Sequence, residues 1–438
     1  MTQQSRNPLA ASGPGRRRVV GGLFGLGAAA LAAPVLTACG GGGAGADPKT
    51  VTFGSNGADA TPKSAYAAVT KAFTKESGLT VKTNTVDHDT FQKSITSYLQ
   101  GTPDDVFTWF AGYRMQYFAK KGLASPLDDV WDKIGGGFND ATKQLSKGED
   151  GKYYFVPLYN YPWAVFYRKS LFQERGYQVP QKWDEFIALA KRMQKDGLSP
   201  VTAGYGGGDN WSILGAFDYL NLRANGYDFH MSLLRGQTSW TDKRTARVLD
   251  LWRELTPYYQ KSGGGRSWQD AAQTLLDKKS GMAVIGLFLG QQITDEKIRA
   301  DIDFFPFPEI EAANGQDAVE APTDGFMLSR KPRNEDGAKK FLEFLGGAAA
   351  EQAYGGVDPS NLAVNEQAST GSYNALQKKS AELIASAKHI SQFADRDSDP
   401  GFISTVVLPG LTEWLGHPDD GAATLKKIES QRSRFFTA

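Results

Sequence analysis

From Thr50 to Ser329 the chain keeps changing its hydrophobic period, and that alternation limits its fold more than any other feature. Thr50–Phe53 is a short β-rich run. Tyr66, Val69 and Phe73 then recur at helical spacing, with Thr61 placed to cap, Pro62 at the first helical position and Gly78 at the end. Val81–Val86 reads as a strand, Phe91, Ile95 and Leu99 as a helix face that Gly101 stops, and Asp105–Phe110 as a third strand. A second series follows. It has strand-like runs at Val165–Tyr167, Val201–Tyr205, Met282–Phe288, Ile302–Phe307 and Phe326–Ser329. Helical faces lie between them: Phe186, Leu189, Ala190 and Met193; Val248, Leu251, Trp252 and Leu255; Trp268–Lys279; and Phe341–Leu345. Strands alternating with helices specify an α/β fold with a mostly parallel sheet. At about 150 residues per domain, 438 residues make about three domains or two large ones.

The first 50 residues have another character. No acidic residue precedes Asp47, and Arg16–Arg18 lead into an apolar run from Val19 to Ala33. A basic head, a short apolar core and small residues before a cut site make an export signal, and adjacent arginines suggest the twin-arginine route. The run is shorter than the ~20 residues of a membrane span. Leu36-Thr37-Ala38-Cys39 resembles a bacterial lipobox, in which Cys39, the single cysteine, becomes the lipidated first mature residue. Gly40–Gly43 would then be a flexible tether. Removing residues 1–38 takes four arginines and no acid, turning a net charge of +1 into −3. Neither value supplies a basic field for nucleic acid. One cysteine excludes a disulfide framework, and His88, His230, His389 and His417 show no metal-ligand spacing.

Chemistry-bearing residues concentrate where strands end. Trp109, Phe110 and Tyr113 follow the third strand. Tyr159, Tyr161, Trp163 and Tyr167 surround Asn160, and Trp211 follows a glycine-rich turn with Asp209 and Asn210. In open α/β sheets ligands bind beyond the carboxyl ends of strands. Aromatic faces beside Asn and Asp suit a sugar, since rings cover C–H faces while amides and carboxylates bond hydroxyls. Phe107, Phe155 and Phe166 alternate inside apolar strands and read as core, whereas Trp163 and Trp211 sit beside Pro, Asn and Ser in loops and read as ligand-facing. Catalytic motifs such as G-x-S-x-G, a P-loop or H-E-x-x-H are missing from the sequence. Gly204–Gly208 lacks the spacing and lysine of a phosphate cradle and reads as a tight turn. The pairs Asp104-Asp105, Asp128-Asp129 and Asp419-Asp420 read as caps and solvated turns.

Seven segments in order carry a resemblance. They are Pro103–Trp109, Tyr117–Leu123, Gly151–Pro157, Phe166–Phe172, Pro180–Phe186, Gly281–Gly286 and Ala338–Gly346. Together they resemble the extracellular solute-binding proteins of carbohydrate ABC transporters, the group that includes maltose-binding protein. The resemblance covers nearly all of the mature chain. It implies an α/β periplasmic-binding-protein fold of type II, with two lobes joined by crossovers and closing on ligand by hinge motion. Lobe one would be 51–158 plus 310–346, and lobe two 159–309 plus 347–438. Ligand-binding residues would be Asn56, Asp59, Trp109, Tyr113, Tyr161, Trp163, Trp211, Phe288, Asp324, Gly325, Asp395 and Arg396. Phe288 stands where the family often has a stacking Trp. The resemblance further implies a monomer without cofactor or metal that delivers a sugar, an oligosaccharide by expectation, to ABC transporter permease subunits. It would be lipid-anchored at Cys39 outside the cytoplasmic membrane. A non-sugar solute (a metal chelate or polyamine) and a glycan-active enzyme are the alternatives.

Overall fold

The computed structural model describes residues 47–436. Its strands are β1 (Thr50–Ser55), β2 (Thr80–Thr85), β3 (Val106–Phe110), β4 (Ala124–Ser125), β5 (Val156–Asn160), β6 (Trp163–Arg168), β7 (Ser199–Thr202), β8 (Ser280–Gly286), β9 (Ile302–Phe305), β10 (Ala318–Glu320), β11 (Thr323–Ser329), β12 (Leu362–Ala363) and β13 (His389–Ser391). One sheet runs β12-β5-β11-β3-β1-β2, with β4 also on β11. The other runs β7-β8-β6-β9, and β10 pairs with β13 apart from both. Strand β1 is parallel to β2 and β3, while β11 enters antiparallel between β3 and β5. Both large sheets are mixed rather than mostly parallel, because the returning β11 lies antiparallel to β3 and β5 and the crossing strand β6 antiparallel to β8 and β9.

Local sequence explains the helices that cover the sheets. In Ala60–Ser77 the buried positions are Ala65, Tyr66, Val69 and Phe73, and Gly78 closes the helix at φ 71°. Its N-cap is Asp59 rather than Thr61, whose hydroxyl instead donates to the Gln291 carbonyl at 3.2 Å. The expected faces of His88–Gln100, Trp183–Lys195 and Lys243–Leu255 are the buried ones. Phe53, Tyr66, Phe73, Phe326 and Phe341 interlock in the first sheet's core, with successive centroids 4.8–6.1 Å apart. Contacts of this kind contribute about 0.5–1.5 kcal/mol beyond their buried area.

Asp104 and Asp105 are neither caps nor solvated. Both are buried; Asp105 accepts from the Thr52 amide at 2.8 Å and the Arg333 amide at 2.5 Å, and Asp104 from the Tyr98 hydroxyl at 2.8 Å. They tie β1, the helix after β2 and the loop after β11 to the start of β3. Ile310 and Ala318 pack in the core of the second sheet, whereas Ala350 and Tyr354 of the helix Ala348–Gly355 pack in that of the first.

The chain crosses between the sheets at Tyr161-Pro162 and returns at Ala321-Pro322. The crossings touch, because the Tyr161 amide donates to the Pro322 carbonyl at 3.3 Å. Among the described residues no helix is long and apolar enough to cross a membrane.

Candidate functional site

A cavity of about 330 Å³ lies between the two sheets, beside the paired crossings. The ends of β1 and β3 and the starts of β6 and β11 deliver residues to it, as strand ends in α/β sheets do. Its floor is aromatic. Trp163 stacks on Phe393 at 4.6 Å and 27°, and meets Phe288 and Trp211 edge-on at 5.7 and 6.2 Å. Trp268 stands edge-on to Phe288 at 5.0 Å. Gly215 permits this floor, because a Cβ there would lie 2.5 Å from the Trp163 ring.

A charged cluster faces the rings. Arg396 donates to Asp324 at 2.5 Å and to the Tyr161 hydroxyl at 2.9 Å, and its guanidinium lies 4.2 Å from the Phe110 ring centre. Asp395 accepts from Arg114 at 2.9 Å. Burial pushes the Asp324 carboxyl up and Arg396 pulls it back. The same carboxylate and the phenol of Tyr161 raise Arg396 against its burial. A buried pair held this way is worth little net stability, but losing one partner strands the other charge. His88 is pushed down to about 4 by burial, then by Arg396 and Arg114, so it is neutral at pH 7. Its Nδ1 lies 3.3 Å from the Asn56 amide nitrogen.

The mouth is crossed by weak contacts. Gln269 donates to Asp59 at 3.3 Å, and His88 approaches Trp211 at 6.2 Å. Asp209 accepts from the Trp268 amide at 3.0 Å, and burial pushes its carboxyl up, with Asp89 and Asp59 adding repulsion. Four polar atoms of cavity-lining residues are buried without hydrogen-bond partners among the described residues. They are the indole N–H of Trp211, Oδ1 of Asn361, Nε of Arg396 and Oδ1 of Asp395, the last two 3.9 Å apart.

Nine of the twelve expected residues line this cavity: Asn56, Asp59, Tyr161, Trp163, Trp211, Phe288, Asp324, Asp395 and Arg396. Three do not. Trp109 is 1% exposed and packs on Phe91 and Phe118, because strand alternation turns it to the opposite face from Phe110. Tyr113 faces away and its neighbour Arg114 reaches Asp395 instead. Gly325 serves backbone packing: a Cβ would strike the Val156 carbonyl where the β11–β5 register shifts. His88, Phe110, Trp268 and Phe393 also line the cavity, beyond the residues the sequence singles out as ligand-binding. Phe110 alternates with Trp109 in β3 without showing which of the two points inward, and the other three lie in segments whose local pattern gives no sign of the cavity.

Cys39 and the export signal lie outside the described residues. Among the described residues no group of three or more His, Cys, Asp or Glu side chains is arranged to hold a metal.

Comparison with known proteins agrees with this geometry. The family profile of bacterial extracellular solute-binding proteins matches residues 57–352. An uncharacterized ABC transporter extracellular-binding protein of Pyrococcus horikoshii is 23% identical over 344 residues, 76% of this chain and 71% of that one. The bacterial solute receptor AcbH, described as having an exclusive substrate preference for β-D-galactopyranose, has 47% identity and a TM-score of 0.86, over 88% of this chain and 99% of its own. A chitin oligosaccharide binding protein shares the fold at 21% identity and a TM-score of 0.80, over 88% of this chain and 98% of that one.

Proposed function

The chain belongs to the bacterial extracellular solute-binding protein family, with the two-lobe fold of ABC-transporter receptors, and from that premise we propose that it captures one hexopyranose between its lobes. The unpartnered Trp211 N–H, Arg396 Nε and Asp395 Oδ1, set among stacked rings, carry this reading. Buried polar groups are normally paired, and a polyhydroxylated ring brings donors and acceptors to all three while its C–H face covers an indole. The cavity of about 330 Å³ has room for a hexopyranose. AcbH, 47% identical over nearly its whole length, supports a galactose-type hexose in particular. A ferric chelate is disfavoured, because the Tyr161 hydroxyl already accepts from the cation Arg396.

We assign lobe one to about 50–160 plus 323–368 and lobe two to about 161–322 plus 369–436, following the two cores and the crossings. The proposed hinges are Tyr161-Pro162 and Ala321-Pro322. The rest of the reading is a non-catalytic monomer, anchored by lipid at Cys39 and handing sugar to permease subunits. Titration calorimetry with D-galactose, D-glucose, raffinose and chitotriose tests the ligand class. Tight binding of a monosaccharide, recovered unchanged, is expected. Binding of the trisaccharides alone, or conversion of the sugar, overturns the reading.

A further inference from the structure

Phe393 lines the cavity beneath Trp163 with a backbone that a bulky residue does not choose freely, φ 89° and ψ 142°. Ser262 and Lys278, the other non-glycine residues at positive φ among those described, have φ 69° and 58°. The ψ of 24° at Ser262 is that of the left-handed helical region. Phe393 is in the far less accessible extended region at positive φ. Such a conformation persists only where the surroundings over-determine it.

Buried carboxylates do so here. The Ala394 amide donates to Asp218 Oδ2 at 2.8 Å, and the Gln392 amide to Asp397 Oδ2 at 2.7 Å. The Phe393 carbonyl accepts from the amides of Arg396 and Asp397, both at 2.9 Å. The turn so fixed carries Asp395 and Arg396, which pair with Arg114 and Asp324 of the first lobe. Asp218 itself is 0% exposed, sits in the helix Leu214–Asn225 and does not line the cavity. Its neighbours are Glu320 of β10 and His230, whose Nε2 lies 4.0 Å from Oδ1. Burial raises both Asp218 and Glu320, and burial lowers His230, so the surroundings favour a shared proton between two carboxyls over two charges. Burying a carboxyl at such a cost fits a group kept for its acceptor.

We propose that Asp218 is a positioning residue for ligand binding: by accepting the Ala394 amide proton it holds Phe393 in a disfavoured backbone conformation and thereby fixes Asp395 and Arg396 against the cleft. The proposal rests on the hexose-binding reading of that cleft, so the two are tested separately. Binding of D-galactose to the wild-type full chain and to Trp211→Ala tests the cleft.

Asp218→Leu keeps volume and removes the acceptor, and should raise Kd for D-galactose about tenfold, whereas Asp218→Asn, which keeps a carbonyl oxygen, should stay within about threefold. The decisive comparison repeats Asp218→Leu in Phe393→Ala and Phe393→Gly backgrounds. Both lack the ring, but only glycine takes positive φ without strain. Asp218→Leu should cost about tenfold with alanine and under about threefold with glycine. Equal costs in the two backgrounds would reduce Asp218 to packing and overturn the proposal. Hydrogen exchange of the Ser391–Asp397 peptide without sugar decides it independently of the ligand, and also if the leucine variant folds poorly, since Phe393→Gly and Phe393→Ala can then be compared with Asp218→Asn. Exchange should be faster in Asp218→Leu than in Asp218→Asn, and faster in Phe393→Ala than in Phe393→Gly. Identical exchange within the folded variants overturns it.

Discussion

Replacing Trp211 with alanine separates binding from packing, and Trp163 is its control. Trp211 is partly buried, borders His88 across the mouth, and has a buried N–H without a partner. Its exposed face is the surface a sugar ring would cover. Losing such a ring costs about 1–3 kcal/mol of binding, or roughly 5- to 150-fold in Kd. Folding should lose less, because part of the ring is solvated before ligand arrives. Trp163 is 2% exposed and is packed by Phe393, Phe288, Trp211 and Gly215. Its truncation should cost about 3–5 kcal/mol of stability, with affinity falling as a consequence of a collapsed floor. The sequence alone suggests that both truncations spare the fold; the burial of Trp163 restricts that to Trp211. Trp211→Phe adds a finer test, keeping a face and deleting the N–H, and should fall between wild type and alanine. Calorimetry with D-galactose and urea melts on the same samples give both numbers. A Trp211→Ala protein that melts early but binds normally would refute the reasoning.

Gly208 has φ 113°, and a Cβ there would strike the Asp89 carboxylate across the mouth; Gly208→Ala should weaken D-galactose binding at least about tenfold while backbone strain costs about 1–3 kcal/mol of stability, and unchanged Kd would count against a closed mouth. Saturating D-galactose should reduce the radius of gyration in small-angle scattering and shift Trp fluorescence; an identical scattering profile, in a free protein whose cleft tryptophans a soluble quencher reaches, would refute hinge closure. Burial pushes Glu351 up from 4.5 to about 8 despite its bonds from the Asn365 and Val364 amides. Between those values the native state keeps a proton that the unfolded state has lost, so stability falls as pH rises; Glu351→Gln should gain on the order of 4 kcal/mol at pH 8 relative to pH 4.5, and parallel pH profiles in urea would contradict this. Cys39→Ala should move the protein from the membrane fraction to the medium, and equal retention of both forms would sink the lipid anchor.

The legible part of the fold and the site is the part encoded locally. The faces Phe91-Ile95-Leu99 and Val248-Leu251-Trp252-Leu255 are visible as periods and are buried as periods. Asn56, Trp163, Trp211 and Asp324 could be placed because strand ends and the turns after them are where an α/β sheet presents side chains. Trp109 failed because one residue of strand register decides between cavity and core, and a lone aromatic next to Phe110 does not reveal which of the two points inward. His88 and Phe393 were invisible for another reason. Each reaches the cavity through contacts across hundreds of residues or through a backbone angle, and neither leaves a local pattern. The helix Ala348–Gly355 is a further case, since it packs on Ala60–Ser77, nearly 300 residues earlier in the chain.

The site also explains how a receptor can close firmly on ligand without locking itself shut. The contacts across the mouth include two long hydrogen bonds, Thr61 to the Gln291 carbonyl at 3.2 Å and Gln269 to Asp59 at 3.3 Å, and a shorter one from Gln291 to the Asp358 carboxylate at 2.8 Å. A neutral bond contributes about 0.5–1.5 kcal/mol and one to a carboxylate about 1.5–3 kcal/mol, and the carboxylates Asp59, Asp89 and Asp209 oppose them by mutual repulsion. The stronger pairs, Arg396 with Asp324 and Arg114 with Asp395, lie beside the crossings proposed as hinges. Turning an equilibrium from 1:99 to 99:1 takes about 5.5 kcal/mol of differential affinity. A hexose stacked on Trp211 and bonded to Asp395 and Arg396 can supply a differential of that order, because the mouth residues reach it only after closure. Such a design makes the closed surface report occupancy, which is the property a membrane transporter needs from its receptor.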